Sequence, residues 1–235
     1  MSERTTKDVS RSDRDALIQL VHRYLSEEIT AFEFDELLFM IGSRTSDATV
    51  KWGVDWLWGF YDDCKDHKVV STKQEWDAVQ RLLLVLSSDG TVKVRTRREW
   101  TLRQFVAGFG LISFLFAIWQ TGFGDHLFLA ALPLGIVSML LHQWQERCEA
   151  SVPAQKQERL VPFGSVSELL RFRRLARGFL KTKYPTRLAG RRIRSRTTER
   201  LLQAQEHLLW LAFSPIVLLV QALPECHSEW SVTTA

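Results

Sequence analysis

Charge is missing where a water-soluble chain would carry it. Between Arg103 and Glu146 lie 42 residues in which Asp125 is the only formal charge, too long and too apolar a run for an ordinary core helix. Cysteine is scarce as well. Cys64, Cys148 and Cys226 stand far apart and form no CxxC pair, so neither a disulfide framework nor a thiolate zinc site is suggested, and a reduced compartment fits. The opening MSERTTKDVSRSDRD has no apolar core, so a secretory signal is not expected. HExxH, P-loop, GxSxG and dinucleotide fingerprints are all missing, and so is the acidic alternation of a calcium loop. No cofactor is indicated, and no reaction.

What is present divides the 235 residues into blocks of opposite character. The net charge of +4 is uneven: residues 1–92 carry 17 acids against 11 bases, and 93–235 carry 10 acids against 20 bases. The order of composition predicts a cytosolic acidic helical domain at 1–92, a transmembrane helical hairpin at 93–146, a basic interfacial connector at 147–206, and a third apolar segment with a polar tail at 207–235. The expected fold class is all-α: a small N-terminal helical bundle, the hairpin, and a C-terminal membrane-associated helix.

Two spans fit the apolar run. Gln104–Gly124 gives 21 uncharged residues and Leu127–Gln145 gives 19, each near the roughly 20 needed to cross about 30 Å of hydrocarbon. TGFGDH reads as the turn between them. Ala107, Gly110, Ser113 and Ala117 in the first span, and Ala131, Gly135 and Ser138 in the second, form small-residue stripes that let helices approach closely. Arg95, Arg97, Arg98 and Arg103 precede the hairpin; Arg147, Lys156 and Arg159 follow it. The positive-inside bias therefore predicts an inner bacterial membrane with the N-terminal domain cytoplasmic. Neither span has an ionisable residue near its middle, which disfavours a transporter.

From Arg171 to Arg200 there are 12 Lys or Arg residues and one acid, Glu199. Lying between membrane segments, this cluster is expected to meet the anionic inner leaflet through Arg171, Arg174, Arg177, Lys181, Arg191, Arg192 and Arg194; nucleic acid is disfavoured by location. Ser165 and Glu168 make a capping box, after which Leu169, Phe172, Ala176, Phe179 and Leu180 recur at helical spacing. That stripe suits either the headgroup boundary or packing onto the N-terminal domain. HLLWLAFSPIVLLVQALP, residues 207–224, is short for a span. It crosses if its helix starts near Thr198, or turns back if Pro215 breaks it; crossing is preferred.

In the N-terminal domain four helices are predicted. Ser12 precedes the stripe Leu17, Leu20, Val21, Tyr24 and Leu25; Thr30/Glu33 and Thr72/Glu75 form capping boxes; Gly42 is placed to end the second helix. In the third helix Val50, Val54, Leu57, Trp58 and Tyr61 form one face, and Trp52, Trp56 and Phe60 another. Such a helix is either central in the bundle or offers its tryptophans to a partner. Trp52, Trp56 and Phe60, with Asp62 and Asp63, are the candidate partner-binding residues. Asp63 and His67 would share a face at i, i+4 if the helix continued, making a metal-dependent sensor or enzyme centred on Asp62–His67 the alternative to a noncatalytic binding module. A homo-oligomer is compatible with either.

LIQLVHRYLSEEITAFEFDELL (17–38), WLWGFYDDC (56–64) and STKQEWDAVQRLLLVL (71–86) resemble the helical pattern of bacterial colicin-type immunity proteins. Ile29, Ala31, Glu33 and Phe34 match the family's turn, and Glu28 replaces its glycine. The resemblance implies an all-helical domain that binds a nuclease toxin through acidic residues. The whole chain, including VPFGSVSELLRFRR and LAFSPIVLLVQALPE, is also similar to uncharacterised bacterial membrane proteins.

Overall fold

The structure is a computed structural model that describes residues 9–62, 64–122, 124, 126–149 and 160–234. It is mostly helical, with a small antiparallel sheet. The elements run α1 (Arg11–Leu25), α2 (Ala31–Arg44), α3 (Ala48–Trp58), α4 (Lys73–Leu86), β1 (Gly90–Glu99), α5 (Leu102–Thr121), α6 (His126–Glu149), α7 (Val166–Leu175), a 3-10 turn (Thr186–Leu188), α8 (Arg196–Ala212), α9 (Ser214–Gln221) and β2 (Glu225–Thr234). The sheet corrects the all-α expectation. Thr91, Val92, Val94 and Thr96 on β1 and Val232 to Thr234 on β2 are β-branched residues that suit a pleated ribbon. Their pairing joins segments far apart in the chain, so no local periodicity announces it.

The chain forms two compact units that differ from the blocks in sequence order. The first contains residues 1–95, 156–193 and 229–235; the second contains 96–155 and 194–228. The connector expected at 147–206 is therefore shared between them, and its larger part belongs with the N-terminal helices.

In the first unit, α1 to α4 start where their caps dictate. Ser10, not Ser12, caps α1, and both predicted capping boxes form, Thr30 with Glu33 and Thr72 with Glu75. Gly42 does not end α2, which continues to Arg44. A Cβ there would stand 3.0 Å from Val54, so the glycine lets α2 and α3 approach. Leu17, Tyr24, Phe34, Leu57, Trp76 and Leu83 share one core. A second cluster joins Leu84 and Val85 of α4 to Val92, Phe163, Phe172 and Val232. The α7 stripe thus packs on the bundle, the second of its two expected locations.

Buried Arg14 holds the unit's edge together. Its guanidinium donates to both oxygens of Asp47, at 2.7 and 3.3 Å, and to the carbonyls of Ser88 and Gly90, at 2.7 and 2.9 Å. Asp47 in turn caps α3 by accepting from the Thr49 amide at 2.8 Å. Burial pulls the Asp47 carboxyl upward, but the Arg14 and Thr49 hydrogen bonds win and hold it below the usual carboxylate range.

The second unit packs α5, α6, α8 and α9. Of these, α5 (Leu102–Thr121) is long and apolar enough to cross a membrane, and 22% of its apolar stretch is buried in the protein. Among the described residues it is the one helix with that property. The small-residue stripes do not chiefly join α5 to α6. A Cβ on Gly135 would meet Leu211 at 2.8 Å and Ser214 at 3.3 Å, so that glycine receives the third apolar segment, and one on Gly110 would meet Leu218 of that segment at 3.5 Å and Leu134 of α6 at 3.6 Å. Trp210 donates to the Ser138 hydroxyl at 2.8 Å, and that hydroxyl donates to Gln221 at 2.9 Å. The third segment is two helices broken at Phe213, one residue before the Ser214–Pro215 start of α9. Asp125 and residues Lys156 and Arg159 lie outside the described residues, and only the backbone is described at Ala131 and Arg147.

Candidate binding surfaces

The proposed ligand end of α3 begins with a helix that stops. α3 ends at Trp58 with Gly59 as its cap, so the helix does not continue to His67, and Asp62 and His67 fall in a loop. Asp63 lies outside the described residues. His67 Nε2 accepts from the Asp62 amide at 3.1 Å, which places the proton on Nδ1, and Nδ1 stands 2.7 Å from the Lys68 carbonyl. Both ring nitrogens are spent on the loop's own backbone. Asp62 accepts from the Cys64 amide at 2.9 Å. Asp66 accepts from the Phe32 amide at 3.2 Å, and the His67 carbonyl from the Ala31 amide at 2.8 Å. Desolvation opposes ionisation of Asp66, but the hydrogen bonds from Phe32, Thr30 and the His67 amide keep its carboxyl below the ordinary value. The loop is a fastening that ties the end of α3 to the start of α2, and no group of three metal-ligating side chains occurs among the described residues.

The aromatic face is a stack. Trp52 and Trp56 lie 6.4 Å apart between centroids, and Trp56 and Phe60 lie 6.5 Å apart, with ring planes within about 25° of each other. All three are half-buried and line the bundle core. The exposed aromatics are elsewhere. Trp58, grouped with Leu57 on one predicted face, is 63% exposed, and Phe39 of α2 is 74% exposed. Val54 touches Gly42, and the Tyr61 hydroxyl donates to Asp35. That antiparallel register of α2 and α3 sets Trp58 opposite the Leu38–Phe39 turn. Asp35, Glu36 and Asp55 give this face its charge.

The basic residues separate into two groups. Arg171 and Arg174 are exposed on α7. Arg177 and Lys181 border a cleft against α4. Lys181 pairs with Asp77 at 2.7 Å, and Arg191 pairs with Glu27 at 2.7 Å while donating to the Val69 carbonyl at 3.1 Å. Tyr184 donates to the Ser71 carbonyl at 2.9 Å, and Trp76 to the Thr182 carbonyl at 3.0 Å. The basic strap is therefore laid along the acidic bundle by ion pairs and backbone hydrogen bonds. Arg192 is exposed and Arg194 half-buried.

Two features escaped the sequence reading although each left a trace. Arg14 sits three residues before Leu17 on the apolar stripe of α1, and Gln80 lies on the Trp76–Leu83 stripe of α4. A polar residue on an apolar stripe marks a buried network, and both are such members.

No protein family model, no curated protein and no solved structure matches the chain.

Proposed function

We propose that the chain is a noncatalytic bacterial inner-membrane protein: the second unit is embedded in the bilayer, and the first unit is a cytoplasmic binding module. The single observation that carries this reading is the surface of the second unit. Phe105, Phe109, Ile112, Leu115, Phe116 and Trp119 on α5 are all exposed, Trp119 by 80%, and Ile136, Leu140, Ile216 and Leu219 extend the same character to α6 and α9. An apolar area of that extent in water costs about 25 cal/mol per Å², and lipid removes the cost.

Contacts within the second unit support a re-entrant third segment. Arg103 forms an ion pair with Glu225, and Leu218 packs with Ala107, which runs α9 antiparallel to the first part of α5. The third segment therefore enters the bilayer and comes back instead of crossing. The eight residues of α9 rise roughly 12 Å, less than half the hydrocarbon depth. With α5 and α6 as the transmembrane hairpin, the arginines before α5 place the first unit in the cytoplasm.

On that unit the surface offered to a protein partner is the Phe39–Trp58 face with its acids Asp35, Glu36 and Asp55, and the partner carries an apolar, basic patch. An immunity or defence role is the finer form of this proposal. Membranes washed in alkaline carbonate test the anchor: the full chain stays in the pellet, and release into the supernatant would contradict it. A photo-crosslinking residue at position 58 tests the surface. It traps one protein in cells and loses it when Phe39→Ala is added; an unchanged or empty crosslinking pattern would reject the surface and leave the anchor standing.

A further inference from the structure

We propose that the cleft between α4 and the α7–Lys181 segment is a binding site for a phosphoryl group. The cleft lies wholly inside the first unit, measures about 300 Å³, and gathers Arg81, Arg173, Arg177 and Lys181 around a single acid, Asp77. Asp77 is engaged by Lys181. Arg81 donates from Nε to the Val161 carbonyl at 2.8 Å, which fixes the side chain and leaves its two terminal nitrogens for an anion. Among the described residues no carboxylate pairs with Arg173 or Arg177.

Two observations mark a built site. First, Gln80 is 2% exposed and lines the cleft, with its carbonyl oxygen accepting from the Thr182 amide at 2.9 Å and its Nε2 lacking any acceptor. A buried donor without an acceptor costs about 1–3 kcal/mol, and this one lies behind the cleft wall beside the Thr182 amide that fixes the strap. Second, Arg81 and Arg173 line the same cleft and carry the same charge. Burial pulls the Arg81 guanidinium below its ordinary range; the charge of Asp77 opposes this, and the charge of Arg173 adds to it. A dianion between them converts that repulsion into two charge-assisted, fork-shaped contacts. The walls from Leu84, Leu169 and Phe179 lower the local dielectric and strengthen every such contact. The volume is at the small end of ligand pockets, enough for a phosphomonoester and a short substituent. A lipid headgroup and a free phosphate ester share this chemistry, and the site is independent of how the second unit is placed.

The experiment uses the full chain in detergent micelles, at matched ionic strength, with two probes: inorganic phosphate and soluble dioctanoyl phosphatidic acid. Binding is read by titration calorimetry and by the shift in unfolding temperature. At least one probe binds saturably, and Arg173→Gln/Arg177→Gln weakens it by about tenfold or more, as the loss of two charged hydrogen bonds requires. Arg171→Gln/Arg174→Gln removes the same charge from α7 outside the cleft and changes affinity by less than about twofold. Both pairs are exposed, so neither substitution threatens the fold. Tighter binding of the lipid than of phosphate identifies a headgroup as the source; equal binding identifies a soluble phosphate. Saturable binding by neither probe, or equal weakening by the two double variants, would overturn the proposal.

Discussion

The two units of this protein solve opposite solvation problems with the same residue types. In the first, Leu17, Phe34, Leu57 and Leu83 are inside and the exposed aromatics are confined to a few positions such as Phe39 and Trp58. In the second, Ala107, Gly110, Gly135 and Ser138 are buried at the helix contacts together with two leucines, Leu141 and Leu218, while most of the phenylalanine, leucine and tryptophan side chains face outward. Large residues in and small ones out is the arrangement water enforces. Small residues in and large ones out is the arrangement of helices packed in lipid. The inversion distinguishes the units more sharply than total hydrophobicity, which both possess.

The comparison breaks first at the charged core of the first unit. Asp47→Ala leaves the Arg14 guanidinium buried without its carboxylate and removes the α3 cap, a loss of about 3–5 kcal/mol. Urea unfolding of the full chain in micelles, followed by near-ultraviolet circular dichroism, reads the effect. Because the folded-state pKa of Asp47 is depressed, its contribution is present above the unfolded carboxylate value near 3.9 and is lost as pH falls through the folded value. Stability of the native chain therefore declines in acid below about pH 4, and Asp47→Asn flattens that part of the decline.

A sharper test places one substitution on each kind of exposed surface. Ile112→Asp, mid-way along α5, costs about 2.5–3.5 kcal/mol of insertion if that face meets lipid. Phe39→Asp, on a surface that meets water, stays within about 0.5 kcal/mol of native stability. Equal effects at the two positions would erase the distinction. Next in size is Gly135→Leu, which forces a side chain onto Leu211 and Ser214 and destabilises the second unit by about 1–3 kcal/mol, read as a lower unfolding temperature of the full chain in micelles. Smallest is Glu27→Gln, which weakens the pairing with Arg191 and Arg187 by about 0.2–1 kcal/mol at low salt and by nothing measurable in 1 M salt.

Local signals in the sequence were faithful where the physics is local. The capping boxes at Thr30 and Thr72 form, and the apolar stripes of α1 and α4 are the core; at Ser165 only the cap forms, because the Glu168 carboxylate accepts from the Gly164 and Val232 amides instead of from the Ser165 amide. What escaped was produced by contacts distant in the chain. Composition drew a boundary between an acidic block and a basic one, yet opposite charges attract, and Glu27 with Arg191 and Asp77 with Lys181 close the two into one unit. The β1–β2 pairing and the return of the C-terminal tail are likewise invisible to any window of neighbouring residues. At the candidate site the tryptophans were legible, but not which would be covered: Trp52 and Trp56 found each other and Phe60, and Trp58 was left outside. His67 was legible as chemistry and became a loop fastener because α3 stops at Gly59.

The account stands or falls on where the outward face of α5 resides. A cysteine placed at Phe109 in a variant with Cys64, Cys148 and Cys226 replaced by serine, labelled with an environment-sensitive fluorophore and reconstituted in phosphatidylcholine vesicles, reports this directly. Blue-shifted emission quenched by doxyl groups on the acyl chains, and indifferent to aqueous iodide, is the predicted result. Emission at the wavelength of the free dye in water, quenched by iodide and untouched by the doxyl lipids, would contradict it.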